Sequence, residues 1–194
     1  MAKGPRLRWI EDVVWTGSEV IAFGSDGGHE LVGVAYSPAD DRWRRLSASG
    51  VSADLGHVVV WDSGLVFLVS PYPDRVDGGE VNPFPEALDP GGVYDPANDR
   101  WSALPVAEGV AVSSATGAVT GKGVVFWDGV GDAAVFDLEG RRWSALKTPR
   151  QEERDGGVPV WTGSELIIWG GDGCGPLAKC AGPIPPPDPV ALTP

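Results

Sequence analysis

Histidine and cysteine are scarce in this chain, at two residues each among 194. The histidines are His29 and His57; the cysteines Cys174 and Cys180 alone undersupply a metal centre, because a structural zinc site takes four ligands. No cofactor is expected. Basic residues are also few: 15 Lys and Arg stand against 27 Asp and Glu, for a formal net charge of −12. Nucleic acid and anionic membrane surfaces are thereby excluded as partners, since both demand a basic face. No apolar run approaches the roughly 20 residues of a helical membrane span. No segment carries the caps and sustained 3.6-residue period of a helix. The basic opening Met1-Ala-Lys-Gly-Pro-Arg-Leu-Arg-Trp9 lacks the apolar core of a signal peptide. The compartment is left open, with export slightly favoured over the cytosol.

Glycine and proline are abundant, at 28 and 18 residues, which suits short strands joined by many turns. The chain also repeats itself. Tyr36-Ser-Pro-Ala-Asp-Asp-Arg-Trp43-Arg-Arg-Leu46 returns as Tyr94-Asp-Pro-Ala-Asn-Asp-Arg-Trp101-Ser-Ala-Leu104 and as Phe136-Asp-Leu-Glu-Gly-Arg-Arg-Trp143-Ser-Ala-Leu146. A second unit, Val14-Trp15-Thr-Gly-Ser-Glu-Val-Ile-Ala-Phe-Gly24, recurs from Val60, Ala118 and Val160. The second unit advances by 46, 58 and 42 residues (Trp15, Trp61, Val119, Trp161), and the first by 58 and 42. Leu46 to Trp61, Leu104 to Val119 and Leu146 to Trp161 are each 15 residues. Self-similarity of this kind marks an architecture built by stacking one supersecondary unit.

Each repeat reads as four strands. Apolar runs such as Val13–Trp15 and Val20–Phe23 meet at Thr16-Gly17-Ser18, a hairpin signal. Val32–Tyr36 and Trp43–Leu46 flank Ser-Pro-Ala-Asp-Asp, a type I turn signal. The second strand is apolar at consecutive positions, as in Leu166-Ile167-Ile168-Trp169, which suits a strand buried on both faces between stacked sheets.

Four strands per repeat, Gly170-Gly171 after a second strand, a Tyr in the third and a Trp opening the fourth resemble the kelch motif, the blade of a β-propeller. The resemblance covers nearly all of the chain up to Gly171. It implies an all-β fold of about three and a half four-stranded antiparallel blades, in the kelch and galactose oxidase central-domain-like superfamily. The expected boundaries are 1–50, 51–107 (with a long loop 70–91), 108–149, a half-repeat 150–171 of two strands, and a Cys/Pro-rich tail 172–194. The resemblance implies no single activity, because kelch propellers serve as enzymes, adaptors and sugar binders. Phe136 in place of Tyr, and a Gly-Gly doublet in the fourth repeat alone, depart from the motif. A closed propeller has roughly four to eight blades, so the array is expected to be partial. Its start is expected to fall where a preceding repeat would end.

The remaining motifs carry little chemistry. Gly129-Val-Gly131-Asp-Ala-Ala134 mimics a dinucleotide fingerprint, yet a strand rather than a helix follows. Gly117-Ala-Val-Thr-Gly121-Lys122-Gly123 is one residue short of a phosphate loop and lacks the following Ser or Thr. The repeat tryptophans Trp15, Trp61, Trp161, Trp43, Trp101 and Trp143 read as core between blades rather than as a ring of sugar platforms. A galactose oxidase-like copper centre is not assembled by Tyr36, Tyr72, Tyr94 and two histidines. Cys174 and Cys180, five residues apart, suit a small loop-closing disulfide in an exported protein, and otherwise two free thiols.

In antiparallel blades the strand-two-to-three loops and the interblade connectors leave on one face, and the short uniform turns leave on the other. Binding residues concentrate on irregular loops held by a rigid scaffold. The loop-face candidates are Tyr72, Phe84, Asp74, Asp77, His29 and His57, against the plainer reading of a solvated acidic loop. The function read from this is a non-catalytic binding or scaffold propeller taking a protein or carbohydrate ligand. The alternatives are a piece of a propeller enzyme (galactose oxidase-like, or a sugar hydrolase or isomerase) with its catalytic residues on other blades, and a truncated, non-functional frame. Self-association through open blade edges is a further expectation.

Overall fold

The computed structural model describes residues 2–53, 57–70, 91–105, 116–127, 132–147, 157–170 and 190–192. The candidates Tyr72, Asp74, Asp77, Phe84, Cys174 and Cys180 lie outside the described residues. What is described is all-β, in four antiparallel sheets whose strands follow chain order. The first comprises β1 (Trp9–Trp15), β2 (Val20–Ser25), β3 (Val32–Ser37) and β4 (Arg42–Arg45). The second comprises β5 (Val58–Asp62), β6 (Leu65–Val69), β7 (Gly92–Asp95) and β8 (Arg100–Ala103). The third comprises β9 (Thr116–Val119), β10 (Gly123–Trp127), β11 (Asp132–Asp137) and β12 (Arg142–Lys147). The fourth comprises β13 (Val158–Trp161), β14 (Leu166–Trp169) and β15 (Val190–Leu192). The chain divides into two compact units, one holding the first two sheets and the other holding the last two.

Local chemistry sets each hairpin. Trp15 pairs with Val20, Trp61 with Val66, Val119 with Val124 and Trp161 with Leu166. In three of these turns a threonine closes the loop: the Oγ1 of Thr16, Thr120 and Thr162 accepts from the amides of Glu19, Gly123 and Glu165 at 3.0, 2.9 and 3.1 Å. In the second sheet Ser63 and Gly64 instead both take positive φ, 48° and 85°, the two-residue turn whose twist matches a hairpin.

The apolar second strands are buried in the first three sheets. In the first unit Ile21 and Phe23 meet Val66 and Leu68, with Val14, Val59 and Trp61 packed on the cluster. In the second unit Val125 and Trp127 meet Leu166 and Ile168, with Trp161 against them. Fully burying such a side chain contributes about 1.5–3 kcal/mol. Gly33 permits this close packing: a Cβ there would lie 2.9 Å from Leu46 Cγ and 3.1 Å from Phe23 Cε1.

The repeat also carries a polar clasp. Tyr36 and Trp43 pair across β3 and β4 with ring centroids 4.9 Å apart, as do Tyr94 and Trp101 across β7 and β8 at 5.0 Å. Each phenol donates to an aspartate at the end of the turn, Asp41 or Asp99, at 2.8 Å. Those aspartates stand at φ 49° and 50°, a region that Asp tolerates better than most residues. Each aspartate accepts a backbone amide, from Ala2 at 2.7 Å or Ser47 at 3.0 Å. Each indole donates back to the carbonyl of that same residue at 3.0 Å. Ala2 thus does for the first sheet what the connector residue Ser47 does for the second. In the third sheet Phe136 has no hydroxyl, Arg141 no acceptor and Pro105 no N–H. The bond from Trp143 Nε1 to Pro105 O, at 2.9 Å, is kept. The three groups of the clasp are replaced together, so none is left buried without its partner.

Three expectations are corrected. The first strand begins at Trp9 rather than Val13, extended through an irregularity between Ile10 and Asp12. The fourth sheet has three strands rather than two: the tail segment Val190–Leu192 pairs with β14, Leu166 to Leu192 and Ile168 to Val190. The outer edge of β14 offers unpaired amides and carbonyls that any extended segment can satisfy. Finally, β14 is not buried on both faces. Leu166 and Ile168 are buried, whereas Trp169 is 65% exposed.

Candidate functional site

The loop between β2 and β3 and the connector from β4 to β5 meet at one end of the first unit. They are joined by backbone. Leu31 N donates to Val51 O and Ala53 N to His29 O, both at 2.8 Å, and Glu30 bridges Ser52. Side chains reinforce the junction. Ser49 Oγ donates to Leu31 O at 2.7 Å, and Gly50 N donates to Glu30 Oε1 at 2.9 Å. Leu31, Val51 and Ala53 are buried beneath it, so apolar contacts hold the ladder from below.

At the tip, the buried Ser25 accepts from Gly27 N at 2.9 Å and donates to Gly28 O at 3.0 Å. Asp26 pairs with Arg45 at 2.6 Å. The Arg45 guanidinium holds that carboxyl below the usual carboxylate range, helped by the Gly28 amide. The result is a fixed platform whose tip, Asp26 to His29, is exposed. A shallow cavity of about 140 Å³ opens beside it, lined in part by Glu30, Gly33, Arg45 and Ser47. Small-molecule pockets run to roughly 300–1,000 Å³, so this end offers a surface to a ligand rather than an enclosure.

The structure places His29 on this platform, its carbonyl in the ladder and its residue exposed. His57 stands half-buried at the end of the same connector, ahead of β5. Among the described residues no three His, Cys, Asp or Glu side chains are grouped as a metal site. Asp26, Glu30, Arg45 and Ser49, which organise the platform, escape a reading of the sequence. Their roles depend on two segments meeting that are about 20 positions apart.

At the other end of the strands lies a second polar cluster. Arg44 grips Glu19 through Nε at 3.1 Å and Nη2 at 2.7 Å, and donates from Nη1 to Tyr94 Oη at 2.8 Å. Asp99 lies 3.8 Å from the same guanidinium. Burial pushes the Tyr94 phenol up to about 12, despite the opposing pull of Arg44. A phenol so raised keeps its proton at neutral pH, and the cluster ties the first sheet to the second. The signal for it was visible: Arg44 follows Trp43 where Ser102 and Ser144 follow the other repeat tryptophans.

The inter-sheet core, the hairpin register and the all-antiparallel sheets define an all-β, propeller-like fold. Among solved structures the chain is similar to YjhT, a β-propeller-like protein, with a TM-score of 0.52 and 15% sequence identity. The match covers 82% of this chain and 58% of that one, so the chain spans less than two thirds of the matched protein. At that identity the likeness speaks to the fold alone. No protein-family model and no curated protein matches the chain.

Proposed function

We propose that the chain is a kelch-type propeller segment serving as a non-catalytic binding or scaffold module. It takes a protein or carbohydrate ligand on the loop end of its sheets. One observation carries this reading: the ladder between residues 29–31 and 51–53 holds an exposed polar tip rigidly beside a cavity too small to enclose a substrate. A surface prepared in this way loses little conformational freedom on binding. The kelch assignment draws support from the Tyr–Asp–Trp clasp, which recurs at the repeat's signature residues. Tyr72, Asp74, Asp77 and Phe84, loop candidates from the sequence that lie outside the described residues, are proposed as further contacts.

The test is a glycan array, together with cross-linking to proteins of the native host, followed by affinity measurements on any ligand found. His29→Ala and the pair Tyr72→Ala with Phe84→Ala are expected to weaken binding by about tenfold or more, as truncated anchor residues do. Asp40→Lys, in the opposite turn, should leave it unchanged. A ligand whose affinity responds to Asp40→Lys and not to the loop substitutions would refute the assignment.

A further inference from the structure

The later repeats place Ala103 and Ala145 two residues after their tryptophans, where the first repeat has Arg45. Arg45 lines the cavity of about 140 Å³ at the loop end of the first unit, beside Glu30 and Ser47. This corner is open by its place in the fold. On the second sheet Trp101 packs against Phe23 of the first, with ring centroids 5.9 Å apart. Ala103 stands two residues further along β8 on the same face and is nonetheless exposed. The counterpart of the corner therefore lies beyond the contact between sheets.

The polar groups of the cavity are committed, with one exception. Arg45 is neutralised by Asp26 at 2.6 Å. Ser47 donates from N to Asp99 Oδ1 at 3.0 Å and from Oγ to Asp99 O at 2.9 Å. Glu30 accepts the Gly50 amide on Oε1 at 2.9 Å, which fixes the carboxylate in place. Among the described residues no cation pairs with Glu30, and its Oε2 is left open. The rest of the lining is apolar, from Leu31, Val32, Leu46 and Ala48, with the backbone of Gly33. An apolar lining beside one fixed carboxylate matches a hydrocarbon stem that ends in a cation.

We propose that this cavity is the anchor site for a lysine side chain of a basic partner protein. The inference rests on the loop end being the binding surface, and it narrows the ligand there to a protein. Lysine lays its stem along apolar surface and keeps its head polar. Its ammonium is a point charge that one carboxylate oxygen satisfies, whereas an arginine fork takes two, and Oε1 is already engaged. The size agrees: an enclosed cavity of about 150 Å³ holds one benzene molecule, so this one takes a single side chain. A neutral sugar would leave the Glu30 charge uncompensated. The net charge of −12 on the whole chain draws a basic partner toward it.

The probe is a short Gly/Ser peptide with one central lysine, titrated to several millimolar against the isotope-labelled chain and followed by amide NMR. Saturable shifts are expected at residues 30–33, 46–48 and Gly50. Replacing the lysine by Nε-acetyl-lysine or norleucine should weaken binding by about tenfold or more, and an arginine peptide should bind less tightly than the lysine one. Glu30→Gln keeps an acceptor for the Gly50 amide and removes the charge, so the chain should stay folded while the lysine peptide loses about tenfold. Asp40→Lys, in the opposite turn, should change nothing. Several results would each overturn the proposal: no saturable shift, indifference to lysine acetylation or to Glu30→Gln, or a neutral sugar that competes for the same amides. Free cadaverine binding more tightly than the peptide would do so too, by pointing to a free amine. A loop-end ligand that answers to His29→Ala and not to Glu30→Gln sinks this inference and leaves the wider reading intact. Lysine binding that depends on Glu30 while the loop substitutions are silent does the reverse.

Discussion

Phe136→Tyr should destabilise the protein, and Arg141→Asp added to it should restore what was lost. Phe136 is fully buried against Trp143, with ring centroids 5.0 Å apart, the separation of Tyr94 and Trp101. A hydroxyl added there would emerge where Tyr36 and Tyr94 meet an aspartate at 2.8 Å. The equivalent residue is Arg141, which offers no acceptor. A buried hydroxyl left without a partner costs about 1–3 kcal/mol. An aspartate at 141 supplies a charged acceptor, and a hydrogen bond to a charged group contributes about 1.5–3 kcal/mol. The position has φ 46°, which suits Asp better than Arg. Pro105 has no amide to give, so the new clasp would lack one of the bonds made by Asp99. The expected coupling between the two substitutions is therefore about 2 kcal/mol. A double-mutant cycle including Arg141→Asp alone isolates it, because any separate contact of Arg141 cancels. Urea unfolding followed by tryptophan fluorescence supplies the free energies. For a chain of this size the single substitution should lower Tm by roughly 2–12 °C. If Phe136→Tyr is as stable as wild type, or the double variant no better than the single, the clasp is not a unit and the reasoning fails.

Gly33→Ala should cost about 1–3 kcal/mol by overpacking, since the new Cβ would press on Leu46 and Phe23. Thermal melting reads this, and an unchanged Tm would mean that the first sheet has slack. Tyr94 should escape ionisation until about pH 12, which an alkaline absorbance titration near 295 nm would show against the other tyrosines. The sign follows from the raised folded value: its stabilising effect is present in full below the ordinary value of 10.0 and is lost as pH climbs toward about 12. Arg44→Ala should move that titration to higher pH, because the pull of the cation is lost.

The four-strand repeat is legible in the sequence because each hairpin is a local object. Thr16-Gly17-Ser18 closes the turn between β1 and β2, and Ser-Pro-Ala-Asp-Asp with its Tyr and Trp closes the one between β3 and β4. The partners of each bond stand a few residues apart. Of the repeat tryptophans expected in the core, Trp61, Trp101 and Trp161 do pack against it, whereas Trp15 is exposed. The candidate site was legible only in part: His29 could be put on a loop, but not on a ladder with residues 51–53. The remaining loop candidates other than His57 lie outside the described residues.

Tertiary structure decided the rest, and the reason is the same in each case. An exposed strand edge or a turn aspartate demands a hydrogen-bond partner but does not specify a side chain. Val190–Leu192 could therefore complete the fourth sheet, and Ala2 could serve Trp43 and Asp41 as Ser47 serves Trp101 and Asp99. Backbone groups are alike in every residue, so contacts made through them leave no pattern in the sequence. Contacts made through side chains, as between Tyr94 and Trp101, leave one that repeats.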